Sequence, residues 1–239
     1  MFKFDFYGTK RNGADDAELR PVGLKGFFGV FFGHFSRMVG ANLLFIIFCI
    51  PVITIPAANC GLAAVAHSMS EDSFPPVFET FFKAFKTNFK TATVLGIPVM
   101  ALYALFGFGT VFYIRVSGEY KIAMVPAVIS IFALLMLVIT TMYLYQMINM
   151  VDLDKKSTLK NSLLVGIVGL KRTAAGLAGY LIFTAGMVLI FPLSTFLLVL
   201  FGFGLYAFIA DYACFGNIRQ YIIDPYYEKN GKPDESGND

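Results

Sequence analysis

The sequence predicts an all-α, polytopic helical membrane protein, and three observations carry that expectation. Of its 239 residues, 57% are hydrophobic and only 15% are charged, whereas about a quarter of a soluble domain is charged. Five stretches, at about 30–50, 93–114, 122–147, 174–191 and 194–214, approach or exceed the apolar length needed to cross a bilayer, roughly 20 residues for a hydrocarbon core about 30 Å thick. Finally, of 19 lysines and arginines only Arg115 and Lys121 fall on one side of those stretches. Basic residues gather on cytoplasmic loops, so the others, and both termini, are expected inside. A single transmembrane domain covers 1–239, with 1–23 as a cytoplasmic N-terminal segment and 224–239 as a flexible cytoplasmic tail.

The N-terminal segment carries Asp5, Asp15, Asp16 and Glu18 ahead of the first apolar run, which argues against a cleaved signal peptide. Phe31-Phe32-Gly33-His34-Phe35 then leads into the first long span. Pro51 and Pro56 bracket Val52, Ile53, Thr54 and Ile55 and break helical hydrogen bonding. The freed backbone groups cannot face lipid, so the break is either a tight outer turn capped by Thr54 and Asn59 or the lining of a wet cavity, with Asn42, Thr54 and Asn59 as its polar groups. A short Pro-flanked helix follows at 57–69. It reaches only about 20 Å at 1.5 Å per residue, so it returns obliquely, borrows length from its flanks or stops partway. Ala57-Ala58-Asn59-Cys60 resembles a lipoprotein cleavage box, but the alanine at its head and the asparagine before the cysteine argue against lipidation.

The connection at 78–90 places Phe78, Phe81, Phe82, Phe85 and Phe89 on one helical stripe beside Lys83, Lys86 and Lys90. This is the pattern of an amphipathic helix lying at the membrane surface, with Ser73, Pro75 and Pro76 as its cap and first turn. A comparable elbow follows the Lys155-Lys156 cluster, where Leu163 to Ile167 lead towards the fourth long span. The chain thus reads as three units, each an interfacial elbow followed by a helical hairpin. With no tryptophan present, tyrosines such as Tyr103, Tyr113, Tyr120, Tyr143, Tyr145, Tyr206, Tyr212 and Tyr221 are expected to anchor the helices at the headgroups.

Candidate chemistry is sparse. Cys49, Cys60 and Cys214 lack a Cys-x-x-Cys pair and read as small buried hydrophobes. His34 and His67 stand on apolar stretches without the neighbouring ligands of a zinc site, so no metal and no cofactor is expected. Asp211 is the one acidic residue inside a span and is expected to pair with Arg219 or an elbow lysine; a proton-carrying role is disfavoured. No Gly-Lys-Ser/Thr phosphate loop occurs. With no paired carboxylates, serine–histidine set or metal cluster, an enzyme is not expected and no catalytic residue is assigned.

The segment Asn42-Leu43-Leu44 followed by Pro51-Val52-Ile53-Thr54-Ile55-Pro56-Ala57, and then Phe81-Phe82-Lys83-Ala84-Phe85-Lys86-Thr87-Asn88-Phe89-Lys90, resembles the YesL family of small bacterial membrane proteins. Ile55-Pro56 departs from the glycine-proline pair common at that point. The resemblance implies a bacterial plasma-membrane protein whose relatives are commonly encoded beside carbohydrate-import ABC transporters, and it implies no established activity. The expected role is an accessory or assembly component associated with carbohydrate ABC import. Its inner face is formed by Lys83, Lys86, Asn88, Lys90, Lys155, Lys156, Lys171 and Arg172, and its partners are the bilayer with its anionic lipids and, more boldly, transporter subunits. No nucleic-acid partner is expected. The alternative is a stand-alone facilitator or channel for a small neutral solute.

Overall fold

Inside a bilayer every backbone N–H and C=O must find a partner within the chain, and among the described residues the backbone meets that demand with helices alone. A computed structural model describes residues 23–71, 74 and 76–230, the side chains of Leu24 and Asn230 excepted. The expectations for 1–22, for Ser73 and Pro75 and for 231–239 lie outside the described residues.

In chain order the helices are α1 (Gly23–Gly33), α2 (Phe35–Phe48), α3 (Ile55–Ser70), α4 (Val77–Val116), α5 (Met124–Met150), α6 (Lys155–Val168), α7 (Leu170–Leu189), α8 (Leu193–Leu197), α9 (Phe203–Ile218) and α10 (Asp224–Asn230). A 3-10 turn, Val52–Thr54, precedes α3 and another, Lys121–Ala123, precedes α5. Two π-helical segments, Leu198–Gly202 and Arg219–Ile223, join α8, α9 and α10 into one long helical run. Five stretches are long and apolar enough to cross a membrane: Val52–Ser70, Val77–Val116, Lys121–Met150, Leu170–Leu189 and Leu193–Lys229. The protein is therefore a helical membrane protein.

The run expected at 30–50 is not one straight span. It is bent by 70° between Gly33 and Phe35, and α2, at 14 residues, reaches only about 21 Å. The bend sits at His34, whose φ of −110° and ψ of 15° leave the helical region. Phe27 and Phe31 of α1 pack on Phe208, Tyr212 and Phe201 of the final helical run, which holds α1 across the bundle. The element that looked too short, by contrast, borrows the Val52–Thr54 turn and becomes a 19-residue span.

The three expected elbows also differ from one another. α1 is set off by the bend at His34, and α6 is separated from α7 at Gly169. The elbow at 78–90 is continuous with its span, since α4 runs unbroken for 40 residues. Its aromatic stripe is accordingly divided: Phe81 is buried against α3, while Phe78, Phe82 and Phe89 are exposed.

α3 forms the centre of the bundle and touches α2, α4, α5 and α9. Its small residues permit this, because Ala57, Ala58, Cys60, Gly61, Ala63, Ala64 and Ala66 are all buried and let neighbouring backbones approach closely. A Cβ on Gly61 would lie 2.9 Å from the Phe81 ring, and one on Gly96 would lie 2.4 Å from Pro56.

Candidate functional site

The Pro51–Pro56 break is a turn in which Thr54 closes on the end of α2, while Asn59 bonds within α3 and caps neither end. The Thr54 hydroxyl donates to the carbonyls of Phe48 and Pro51, and Asn59 Nδ2 donates to Ile55 O at 3.0 Å. Ile50, Pro51, Val52 and Ile53 are exposed around it, and Pro56 is buried against the Gly96 position of α4. The five residues Asn42, Pro51, Thr54, Pro56 and Asn59 do not converge on one site. Asn42, fully buried on α2, points to the final helical run. Its Nδ2 donates to Leu198 O (3.2 Å) and Val199 O (2.6 Å), and its Oδ1 accepts the Gly204 N–H at 2.9 Å. A π-helical segment leaves its hydrogen-bond ladder out of step with the α-helix around it, and Asn42 satisfies the groups that the Leu198–Gly202 segment exposes.

Two further asparagine bridges tie the bundle. Asn88 Nδ2 donates to Asn149 Oδ1 at 2.8 Å and Asn149 Nδ2 donates to Cys60 O at 2.9 Å, linking α4, α5 and α3. Asn217 Nδ2 donates to the Tyr143 hydroxyl (2.7 Å) and to Gly169 O (2.9 Å). Thr173 Oγ1 spends its proton on a carbonyl, that of Gly166 at 2.8 Å or of Gly169 at 3.1 Å, so the Tyr143 hydroxyl is the donor to Thr173 at 2.7 Å. This corrects two expectations. Tyr143 is a fully buried connector between helices rather than a headgroup anchor, and Asn88 is buried rather than part of an exposed basic face. The spacing carried the second signal: Phe81, Ala84 and Asn88 recur at three and four residues on the buried side, away from Lys83, Lys86 and Lys90.

The titratable cluster also corrects the sequence reading. His67 is not isolated, because its Nδ1 lies 2.9 Å from Asp211 Oδ1 and its Nε2 lies 3.2 Å from Glu71 Oε1. With a carboxylate at each ring nitrogen, the imidazolium satisfies both contacts and the neutral ring, with a single donor, only one. Asp211 is fully buried, and among the described residues it is His67 of α3, not Arg219, that is placed on it. Arg219 Nε reaches Asp224 Oδ1 at 3.5 Å instead. His67 and Asp211 are 144 positions apart, and no local pattern announces the pair. Among the described residues no group of three His, Cys, Asp or Glu side chains is arranged to hold a metal ion.

The basic residues Lys83, Lys86, Lys90, Lys155, Lys156, Lys171 and Arg172 are exposed, on α4, α6 and the start of α7, and α6 touches both of the other two helices. Asp154 caps α6 by accepting the Ser157 N–H at 3.1 Å, and hydrogen bonding from the Ser157 side chain, then from its backbone, holds the carboxyl below the usual aspartate range.

A cavity of about 130 Å³ lies among α3, α5, α7 and the final helical run. Its polar lining is Asn59, Thr141, Tyr145, Gln146, Tyr180 and Tyr206, and Leu62, Ala63, Met142, Phe203, Ala207 and Ala210 form the rest. Of the residues expected at the proline break, Asn59 alone reaches it. Tyr145 was expected at the headgroups, and Gln146 stands beside it on α5. Neither carries a local mark that separates a cavity-facing position from a lipid-facing one.

Residues 38–110 match the profile of a family described as a protein of unknown function, DUF624. That stretch contains most of α2, all of α3 and most of α4, and with them both motifs that carry the sequence resemblance. No curated protein matches the chain, and no solved structure matches it.

Proposed function

We propose that this is a non-enzymatic protein of a bacterial plasma membrane, similar to the YesL family, that acts as an accessory or assembly component of a carbohydrate ABC importer. In this reading the bent α1–α2 pair makes a sixth crossing beside the five long spans, and both termini are cytoplasmic. The observation that carries it is the exposed basic set on α4, α6 and α7, borne by helices in contact through α6. Such a set suits anionic headgroups and the acidic surface of a partner at the inner face. The asparagine bridges support the same reading, since a bundle tied through α2, α3, α4, α5 and α9 presents a rigid platform.

Affinity purification from native membranes in mild detergent tests it. Importer subunits should accompany the wild-type protein and be lost when Lys83, Lys86, Lys155 and Lys156 are all changed to glutamine. Recovery of no transporter component with the wild type would overturn the reading. The cavity favours a second one, a facilitator for a small neutral solute. Proteoliposomes holding only this protein would then equilibrate such a solute faster than protein-free vesicles; flux equal to that of empty vesicles would exclude it.

A further inference from the structure

Arg172 stands in the first turn of α7, and its guanidinium lies on the backbone of α9. A Cβ on Gly216 would lie 2.5 Å from Arg172 Nη1, 2.8 Å from Cζ and 3.2 Å from Nε. Distances so similar to three atoms of one plane place the fork flat over Gly216, a seat that a larger residue would fill. The guanidinium is also the far end of a flexible side chain, so a methyl at 216 would push it aside without moving the helix. Charge and seat can therefore be varied one at a time.

The fork is seated but not satisfied. Arg172 and its neighbour Lys171 are exposed, and neither forms an ion pair or a side-chain hydrogen bond with a described residue. Arg219 lies three positions beyond Gly216, on the same side of the helix, and reaches Asp224 Oδ1 at 3.5 Å. Three cations thus gather where the α6–α7 corner meets α9, a junction fixed by Asn217 Nδ2 on Gly169 O at 2.9 Å. Like charges held together repel one another, so an anion between them is stabilised. A guanidinium resting on its face keeps its in-plane N–H groups free along the edge, the geometry that takes two oxygens of a phosphate.

The surroundings say which anion. Val168 and Leu170 are each 61% exposed, Ala174 and Ala175 are exposed, and only 11% of the α7 span is buried inside the protein. The surface around the fork is therefore the lipid-facing start of a span. At that depth a long cationic side chain extends to the headgroup phosphates. A zwitterionic headgroup would bring its own ammonium against Lys171, whereas one charged at its phosphodiester alone would not.

We propose that Arg172, seated over Gly216 with Lys171 and Arg219 beside it, binds the phosphodiester of an anionic phospholipid such as phosphatidylglycerol in the inner leaflet. This rests on the reading that the start of α7 faces the cytoplasm, and it assigns a lipid to this end of the basic set, leaving Lys83, Lys86, Lys155 and Lys156 to a protein partner. The test uses the full chain, purified in mild detergent and stripped of lipid. It is incubated with equimolar phosphatidylglycerol and phosphatidylcholine, and the retained lipid is counted by native mass spectrometry.

Phosphatidylglycerol should be retained in preference by at least about fivefold. Arg172→Gln should cut that preference about fivefold, and Gly216→Ala, which leaves every charge in place, about threefold. Should Gly216→Ala fail to fold, Arg172→Lys keeps the charge, loses the fork and should cost about as much. Lys160→Gln removes an exposed charge from α6 and should change the preference less than about twofold. Equal retention of the two lipids, or a wild-type preference in Arg172→Gln or in folded Gly216→Ala, would overturn the proposal. So would an equal loss in Lys160→Gln, which reduces the effect to net charge, and displacement of the lipid by excess inorganic phosphate, which assigns the fork to a soluble anion. Importer recovery from native membranes is read separately, with Arg172 intact, so failure of this proposal and failure of the docking reading remain distinguishable.

Discussion

The spans Val52–Ser70 and Leu170–Leu189 are nearly equal in length, 19 and 20 residues, and in mean hydropathy, 1.4 and 1.3, yet 72% of the first window is buried inside the protein and 11% of the second. Both are rich in alanine and glycine. Hydropathy cannot separate them, because an apolar side chain is as well accommodated by lipid tails as by another helix. What separates them is polar bonding and close approach. The first span carries His67, bonded to Asp211, and a Cys60 carbonyl that accepts Asn149, and its small residues abut Phe81 and its neighbours. α7 buries only Thr173 and Gly176, and its remaining polar links are those of Tyr180 and Thr184 to Tyr206.

The contrast can be broken experimentally, and the largest effect should come from the charge pair. Asp211→Ala leaves His67 facing an emptied pocket and should destabilise the bundle by about 3–5 kcal/mol in denaturant titrations, the range for removing one partner of a buried pair. A change of under about 1 kcal/mol would remove the pair from any structural role.

A matched glycine pair comes next. Gly61→Ala on α3 forces a methyl against the Phe81 ring at 2.9 Å and should cost about 1–3 kcal/mol. Gly186→Ala on α7 meets nothing within 4 Å and should be neutral or stabilising by up to about 1 kcal/mol through helix propensity. Equal melting shifts for the two would refute the central placement of α3.

Asn149→Leu removes both links of the α4–α5–α3 bridge and should cost about 1–2 kcal/mol. Thr184→Val on the outer helix should cost about 0.6 kcal/mol or less, near the average for hydrogen bonds between helices in membranes. A larger loss at Thr184 than at Asn149 would invert the comparison.

Much of the fold is legible in residue type and spacing, because crossing a bilayer needs long apolar runs, and these show without any knowledge of neighbours. The turn at the proline break was legible for the same reason, since Thr54 bonds back to Phe48 and Pro51 within a few positions of itself; a capping role for Asn59 was not, because its amide bonds within α3. Asn88 was legible in part, through its spacing from Phe81 and Ala84. The His34 bend was not, because a helix through Phe31–Phe35 is locally sound and the bend is packed by rings from elsewhere in the chain, Phe74 on His34 and Phe201 against Phe35. Gln146 looks like any polar residue near a helix end until four helices are placed around it.

The sequence by itself determined the solvent of this protein, the helical solution to backbone hydrogen bonding and the position of the proline turn, since each follows from local composition and covalent geometry. Tertiary packing alone settles which of two equally apolar spans is central, which distant carboxylate meets His67, and which buried amide oxygen is left without a partner. Those outcomes depend on side chains meeting across tens to more than a hundred positions. In a lipid environment, where apolar burial discriminates weakly between helices, a few polar contacts and close-packed small residues make the choice.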